Sequence, residues 1–211
     1  MNPVRAGDLK NLYIPPRGSH KGQNGKLLII GGSHLFHAAS LWALTVASRI
    51  VDLVHYSSIP ENNEIVQKVK EEFRNGIVVR REDVDAYIEE DDCILIGPGM
   101  ERSAETERLT NTLLSKYAHK QWVIDAGALQ MLDLSVIPKN SILTPHYGEF
   151  RRLTHNEDPQ ELAKQYDCIV LLKGEEDIAA SPTETRVIKG GNAGMTRGGT
   201  GDVLAGLIAR S

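Results

Sequence analysis

Six of the thirteen residues in segment 190–202, GGNAGMTRGGTGD, are glycine, and they stand directly before the apolar helical run VLAGLIA. Glycine at that density costs backbone entropy. It is tolerated where backbone must pass close to a ligand, and the free N–H groups that open the following helix suit a phosphate. Asp202, inside this segment, is the informative residue. A carboxylate repels a phosphate unless it has work of its own, such as taking a proton from a substrate hydroxyl or binding through a metal. Its plainer role is to cap the helix, since Asp is a favoured N-cap.

Four further segments place small or polar residues where a strand ends. Gly31-Gly32-Ser33 follows KLLII, Gly97-Pro98-Gly99 follows CILI, Asp125-Ala126 follows WVI, and Lys173-Gly174 follows IVLL. In open α/β sheets ligands bind outside the carboxyl ends of the strands, so these ends outline one crevice. Thr144-Pro145-His146-Tyr147-Gly148-Glu149 adds a histidine and a glutamate at the head of a helix. Both can serve a substrate, or His146 can cap the helix while Glu149 favours its positive terminus. Lys173 can face a nucleotide phosphate or mark the surface. The other histidines show no metal-ligand spacing.

Short β-branched runs alternate with segments of helical period, the pattern of βα units around a mostly parallel sheet. Strands are predicted at 26–31, 52–57, 76–79, 93–97, 121–125, 141–144 and 167–173. Helices are predicted at 36–49, 61–74, 83–89, 103–118, from Gly127, at 147–153 and 159–166, and from Gly199. After Lys173, DIAASPTETRVIKG reads as two short strands around a Ser-Pro-Thr-Glu turn, a small antiparallel addition near the C-terminus. Residues 1–211 read as one domain, and the absence of a cap or breaker after the last helix predicts truncation at the C-terminus.

The 211 residues are 41% apolar and 25% charged, which excludes a disordered chain, and the net charge of −4 advertises neither a nucleic-acid nor an anionic-membrane surface. Cys93 and Cys168 lie in apolar runs and are predicted to be buried free thiols of a reducing compartment. The N-terminus has no apolar signal core and no segment has the length of a membrane span, so a cytoplasmic chain is expected.

Taken in order, HKGQNGKLLIIGGS, ILIGPGM, WVIDAGAL, ILTPHYGEFRRL, IVLLKG and GNAGMTRGGTGDVLAG resemble the successive motifs of the ADP- or ATP-dependent NAD(P)H-hydrate dehydratases, the YjeF carboxy-terminal domain family. The likeness runs from about residue 15 to the end. GGTGD alone is shared with the wider ribokinase-like superfamily, whereas the order and co-occurrence of the six motifs are specific. The resemblance implies a ribokinase-like three-layer α/β sandwich. It also implies a nucleotide-dependent lyase that repairs nicotinamide cofactors by dehydrating (6S)-NAD(P)H hydrate, through phosphorylation of the ring hydroxyl and expulsion of phosphate. By the same resemblance, Asp202 deprotonates that hydroxyl and touches the substrate together with Ala39, Gly99 and His146. Gly199, Thr200 and Gly201 hold the transferring phosphate, and Lys173, Gly174, Glu175, Glu176 and Asp177 lie on the nucleotide side. ADP or ATP is the implied co-substrate, Mg²⁺ the implied metal without an assigned ligand set, and a homo-oligomer the implied assembly.

The sequence departs from the family pattern at Ala38, where glycine is usual, at Ile50-Val51-Asp52, at Glu101 and at Arg197. Two other readings share the residues. A superfamily kinase acting on a hydroxyethylthiazole or hydroxymethylpyrimidine would need the same Asp202, and a nucleotide-binding module without catalysis would not.

Overall fold

The computed structural model describes residues 2–73, 75–154 and 158–209, so the final residue of the predicted helix 61–74 lies outside the described residues. The strands are β1 (Asn2–Pro3), β2 (Lys26–Ile30), β3 (Leu53–Ser57), β4 (Ile77–Val78), β5 (Cys93–Ile96), β6 (Gln121–Ile124), β7 (Ile142–Leu143), β8 (Ile169–Leu172), β9 (Asp177–Ala180) and β10 (Thr185–Ile188). Among the described residues they form one sheet in the order β1-β10-β9-β8-β7-β6-β5-β2-β3-β4. Every pairing is parallel except the two made by β9. The antiparallel addition therefore stands where the sequence places it. The pairing of β1 with β10 is new, because two residues carry no period and one of them is proline.

The helices are α1 (His37–Ala47), α2 (Pro60–Phe73), α3 (Val84–Glu90), α4 (Ala104–Lys116), α5 (Ala126–Gln130), α6 (Tyr147–Leu153), α7 (Pro159–Tyr166) and α8 (Thr200–Ile208). Alternate residues of the central strands feed two cores, which is why these strands read as unbroken apolar runs. Leu28, Ile30, Ile94, Ile96, Trp122 and Ile124 pack with side chains of α3 to α7. Leu27, Ile29, Cys93, Leu95 and Val123 pack on the other side with α1, α2 and α8. Helices on both faces of one sheet make the predicted three-layer sandwich. Cys93 and Cys168 are buried and free, and burial pushes both thiols up to about 12.

The helix that carries the glycine-rich segment is fixed by close packing on α1. A Cβ added to Gly206 would stand 2.6 Å from the Ala43 carbonyl oxygen and 2.8 Å from Val46 Cγ1. Gly206→Ala is expected to lower stability by about 1–3 kcal/mol, read as a lower urea midpoint at unchanged slope.

Candidate active site

The chain lays β3 and β4 on one side of β2 and then continues with β5 to β8 on the other. The order reverses between β2 and β5, and a crevice opens at the carboxyl ends of such a pair. Gly31-Gly32 and Gly97-Pro98-Gly99 form its floor. Gly97 (φ +123°) has no room for a side chain, since a Cβ would lie 1.8 Å from the Asp125 carbonyl oxygen. At Gly99 (φ +73°) a Cβ would lie 2.7 Å from the Phe36 carbonyl oxygen and 3.1 Å from Ala39 Cβ. The two positions implied for the substrate, Gly99 and Ala39, are thus neighbours. Beneath them Asn62 Nδ2 donates to Ser58 Oγ at 3.1 Å and to the Ser33 carbonyl at 3.4 Å, while His37 Nδ1 meets Asn62 Oδ1. This buried network fixes the loop after β2.

Two strands further along, Asp125 ends β6 with only 2% of its surface exposed. Its Oδ1 accepts from Thr144 Oγ1 at 2.7 Å, beyond β7, and from Lys173 Nζ at 3.0 Å, beyond β8. A buried carboxylate is tolerable with such partners, and removing one would strand the other. Gly201 completes the group, because a Cβ there would be 3.5 Å from Lys173 Nζ. Asp202 stands in the first turn of α8; the cap itself is Gly199 at φ +96°. Burial and the Asp125 carboxylate push the Asp202 carboxyl up to about 6, against the opposing pull of Lys173 and a backbone hydrogen bond. Two carboxylates and one ammonium therefore converge on the open first turn of a helix.

His146 resolves differently. It caps α6, its Nδ1 accepting from Gly148 N at 3.0 Å and Glu149 N at 3.2 Å, and Glu149 Oε2 accepts from His146 N at 2.9 Å. The capping role open to both residues from sequence is thus present. With Nδ1 accepting, Nε2 lies 3.6 Å from Glu149 Oε2, and the side chain is 56% exposed. A parallel β-bridge sets His146 beside Lys173. Glu149 is nearly buried and accepts from Gln130 Nε2 at 2.7 Å.

In the turn that follows, Gly174 N donates to Asp177 Oδ1 at 2.9 Å and Glu176 pairs with Lys189 at 2.8 Å, so these two acidic side chains are engaged within the turn and the β9–β10 hairpin. Glu175 contributes its carbonyl oxygen, which a Cβ on Gly191 would approach to 3.9 Å. Thr200 Oγ1 donates to the Met195 and Arg197 carbonyls, both at 2.9 Å, and closes the glycine-rich loop on itself.

The family departures have local explanations except one. Asp52 accepts from the N–H groups of Gly22, Gln23 and Asn24 and ties down the opening loop. Glu101 Oε1 accepts from Leu35 N at 3.2 Å ahead of α1. Ala38 is exposed in the first turn of α1. Arg197 is exposed, and nothing in the structure explains it.

Comparison with known proteins bears on the family and the fold. A family model, Carb_kinase, described as NAD(P)H-hydrate dehydratase, matches residues 27–210. The Bifunctional NAD(P)H-hydrate repair enzyme Nnr of Methanocaldococcus jannaschii is 40% identical over 96% of this chain, which spans 42% of that protein. The ADP-dependent (S)-NAD(P)H-hydrate dehydratase of Nitrosopumilus maritimus is 34% identical over 93% of this chain and 76% of its own length. The chain thus spans less than half of the bifunctional relatives and most of the single-activity one. Among solved structures, a ribokinase-like superfamily protein of Enterococcus faecalis shares the fold with a TM-score of 0.89 at 23% identity, over 99% of this chain and 78% of that one. The ADP/ATP-dependent NAD(P)H-hydrate dehydratase of Bacillus subtilis, co-crystallised with ATP/Mg²⁺, aligns with a TM-score of 0.80 at 27% identity, over 94% of this chain and 76% of that one. With sheet order, glycine floor and family match all in agreement, the chain belongs to the NAD(P)H-hydrate dehydratase family.

Proposed function

We propose that this chain catalyses the nucleotide-dependent dehydration of (6S)-NAD(P)H hydrate to NAD(P)H with release of phosphate. Asp202 carries the reading. A carboxyl held near 6 is largely ionised at pH 7, yet it is a stronger base than an ordinary Asp at 3.8. It takes the proton of the ring hydroxyl, and the oxygen attacks the terminal phosphate of ADP or ATP. Lys173 and the open N–H groups of Gly199 and Gly201 meet the charge that develops on that phosphate, while the Thr200 N–H donates to the Arg197 carbonyl at 3.4 Å and holds the loop. The phosphorylated oxygen leaves as phosphate, driven by the ring nitrogen, and loss of a proton from the adjacent carbon restores the double bond.

Among the described residues no three His, Cys, Asp or Glu side chains gather as a metal cage. Magnesium ordinarily uses one or two carboxylates together with nucleotide phosphates. Mg²⁺ held chiefly by the nucleotide phosphates, with Asp125 as the nearest carboxylate besides the base, would offset the charge of the transferring group. The names of the relatives support a dehydratase over a kinase for a small alcohol. Among the described residues no helix is long and apolar enough to cross a membrane.

Incubation of the protein with NADH hydrate, Mg²⁺ and ADP or ATP is expected to restore reduced-nicotinamide absorbance, with one phosphate released per cofactor. A phosphorylated hydroxyethylthiazole or hydroxymethylpyrimidine accumulating with no cofactor restored would assign the kinase instead. Lys173→Met is expected to raise the nucleotide KM by roughly tenfold or more, the scale of one charge-assisted hydrogen bond. Lys173→Arg, which keeps the charge, is the control for lost folding.

A further inference from the structure

Arg80 and Arg81 are adjacent, and their surroundings differ. Arg80 is exposed and holds Glu82 Oε1 at 2.8 Å and Asp83 Oδ2 at 2.9 Å. Arg81 turns inward. Its Nη1 is buried without a hydrogen-bond partner, and among the described residues it makes no ion pair; Glu105 and Tyr56 act on it only at a distance. Burial weakens its hold on the proton. Arg81 as a whole is half-buried, but a buried donor left unused is a costly arrangement unless something else satisfies it.

Arg81 lines a cavity of about 80 Å³ together with Gly32, Ser33, Met100, Glu101, Ser103 and Glu105. Gly32 and Met100 belong to the loops that floor the crevice, so the cavity is a side chamber of that crevice. It also faces the start of α4, whose terminus favours negative charge. The two glutamates limit what enters. Glu101 is held by the Leu35 N–H and Glu105 is exposed, and both would repel a dianion more than a singly charged oxygen. A phosphodiester oxygen has that charge. Arg81 follows β4, but the cavity it reaches into also borders Gly32 at the end of β2, and two strand spacings, about 10 Å at the usual interstrand distance, separate β2 from β6, whose end carries Asp125. In an extended dinucleotide whose ring hydroxyl lies at Asp202, the ribose occupies that gap and the pyrophosphate lies beyond it.

We propose that the Arg81 cavity is an anion subsite that takes one singly charged phosphate of the substrate's pyrophosphate link. Its identity as a substrate phosphate rests on the dehydratase reading, whereas the anion site itself does not. The test compares wild type, Arg81→Met and Arg81→Lys by thermal unfolding and calorimetry. The probes are NADH hydrate, the hydrated dihydronicotinamide riboside that lacks phosphate, and inorganic phosphate at pH 6, with AMP filling the nucleotide site.

Arg81→Met is expected to bind NADH hydrate at least tenfold more weakly and the riboside equally well, and Arg81→Lys to recover part of the loss. Without ligand, Arg81→Met should melt no lower than wild type, because an unsatisfied buried donor has gone. Equal binding of NADH hydrate by Arg81→Met and wild type would overturn the proposal. So would equal losses for NADH hydrate and riboside with a lowered melting temperature, which mark a structural arginine. Arg81-dependent stabilisation by inorganic phosphate with NADH hydrate unaffected would overturn the substrate assignment in favour of a free anion. Arg81-dependent binding of NADH hydrate by a protein that does not turn it over would uphold the subsite and sink the dehydratase reading alone.

Discussion

Asp202→Asn is expected to reduce nucleotide-dependent turnover by about 10²–10⁴-fold, the range supplied by a positioned general base, and to raise the stability of the protein at pH 7. The second effect follows from the same environment. The folded chain holds the Asp202 carboxyl near 6, above the ordinary 3.8, so it binds this proton more tightly than the unfolded chain does. The contribution of this group to stability therefore rises as pH falls from about 6 toward about 4, and at pH 7 its ionisation is a net cost. Asparagine removes that cost, worth about 1–2 kcal/mol once solvent screening of a partly exposed side chain is allowed for. A variant that melts higher and turns over less separates a catalytic carboxylate from a structural one. Thermal unfolding at pH 7 and at pH 4.5 checks it, since the gain should shrink at the lower pH.

Gly97→Ala is expected to be the most damaging small substitution in the crevice. The residue holds φ +123°, where a side chain adds about 1–3 kcal/mol of backbone strain. Its methyl would also lie 1.8 Å from the carbonyl oxygen of Asp125 and 3.0 Å from Ala128 Cβ. The backbone of β6 must then move, with an overpacking cost of about 1–3 kcal/mol more. Asp125 would move with it and carry the Lys173 contact out of place. Activity should thus fall further than the loss of folded protein accounts for. Circular dichroism at the assay temperature, run beside kcat, measures both.

What the sequence reveals and what it withholds divide along a physical line. KLLII, CILI and QWVI announce buried parallel strands because both faces of each are apolar, and the turn in SPTE announces the β9–β10 hairpin. The strand ends are therefore legible as the rim of one crevice from the sequence. The pairing of Asp125 with Lys173 was not legible. The two residues are 48 positions apart, and only the lateral order of β6, β7 and β8 brings them together. Asp202 was legible as chemistry, but its raised pKa depends on that same pair. His146 shows the converse, a residue type that suits a ligand or a cap, whose capping bonds only the structure reveals. Arg81 was invisible for a simpler reason. Its neighbour is also arginine, and only the short turn at Arg81–Asp83 decides which of the two faces inward.

The measurement closest to the central claim is the pH dependence of kcat/KM for restoring NADH from its hydrate, taken on wild type and Asp125→Asn side by side. The acid limb of the wild-type profile is expected to inflect near pH 6, the value at which Asp202 takes up its proton. In Asp125→Asn it should move to lower pH, because a negative neighbour that raised Asp202 has been made neutral. Profiles that coincide, or a wild-type rate that does not fall below pH 6, would contradict the assignment of Asp202 as the base that Asp125 tunes.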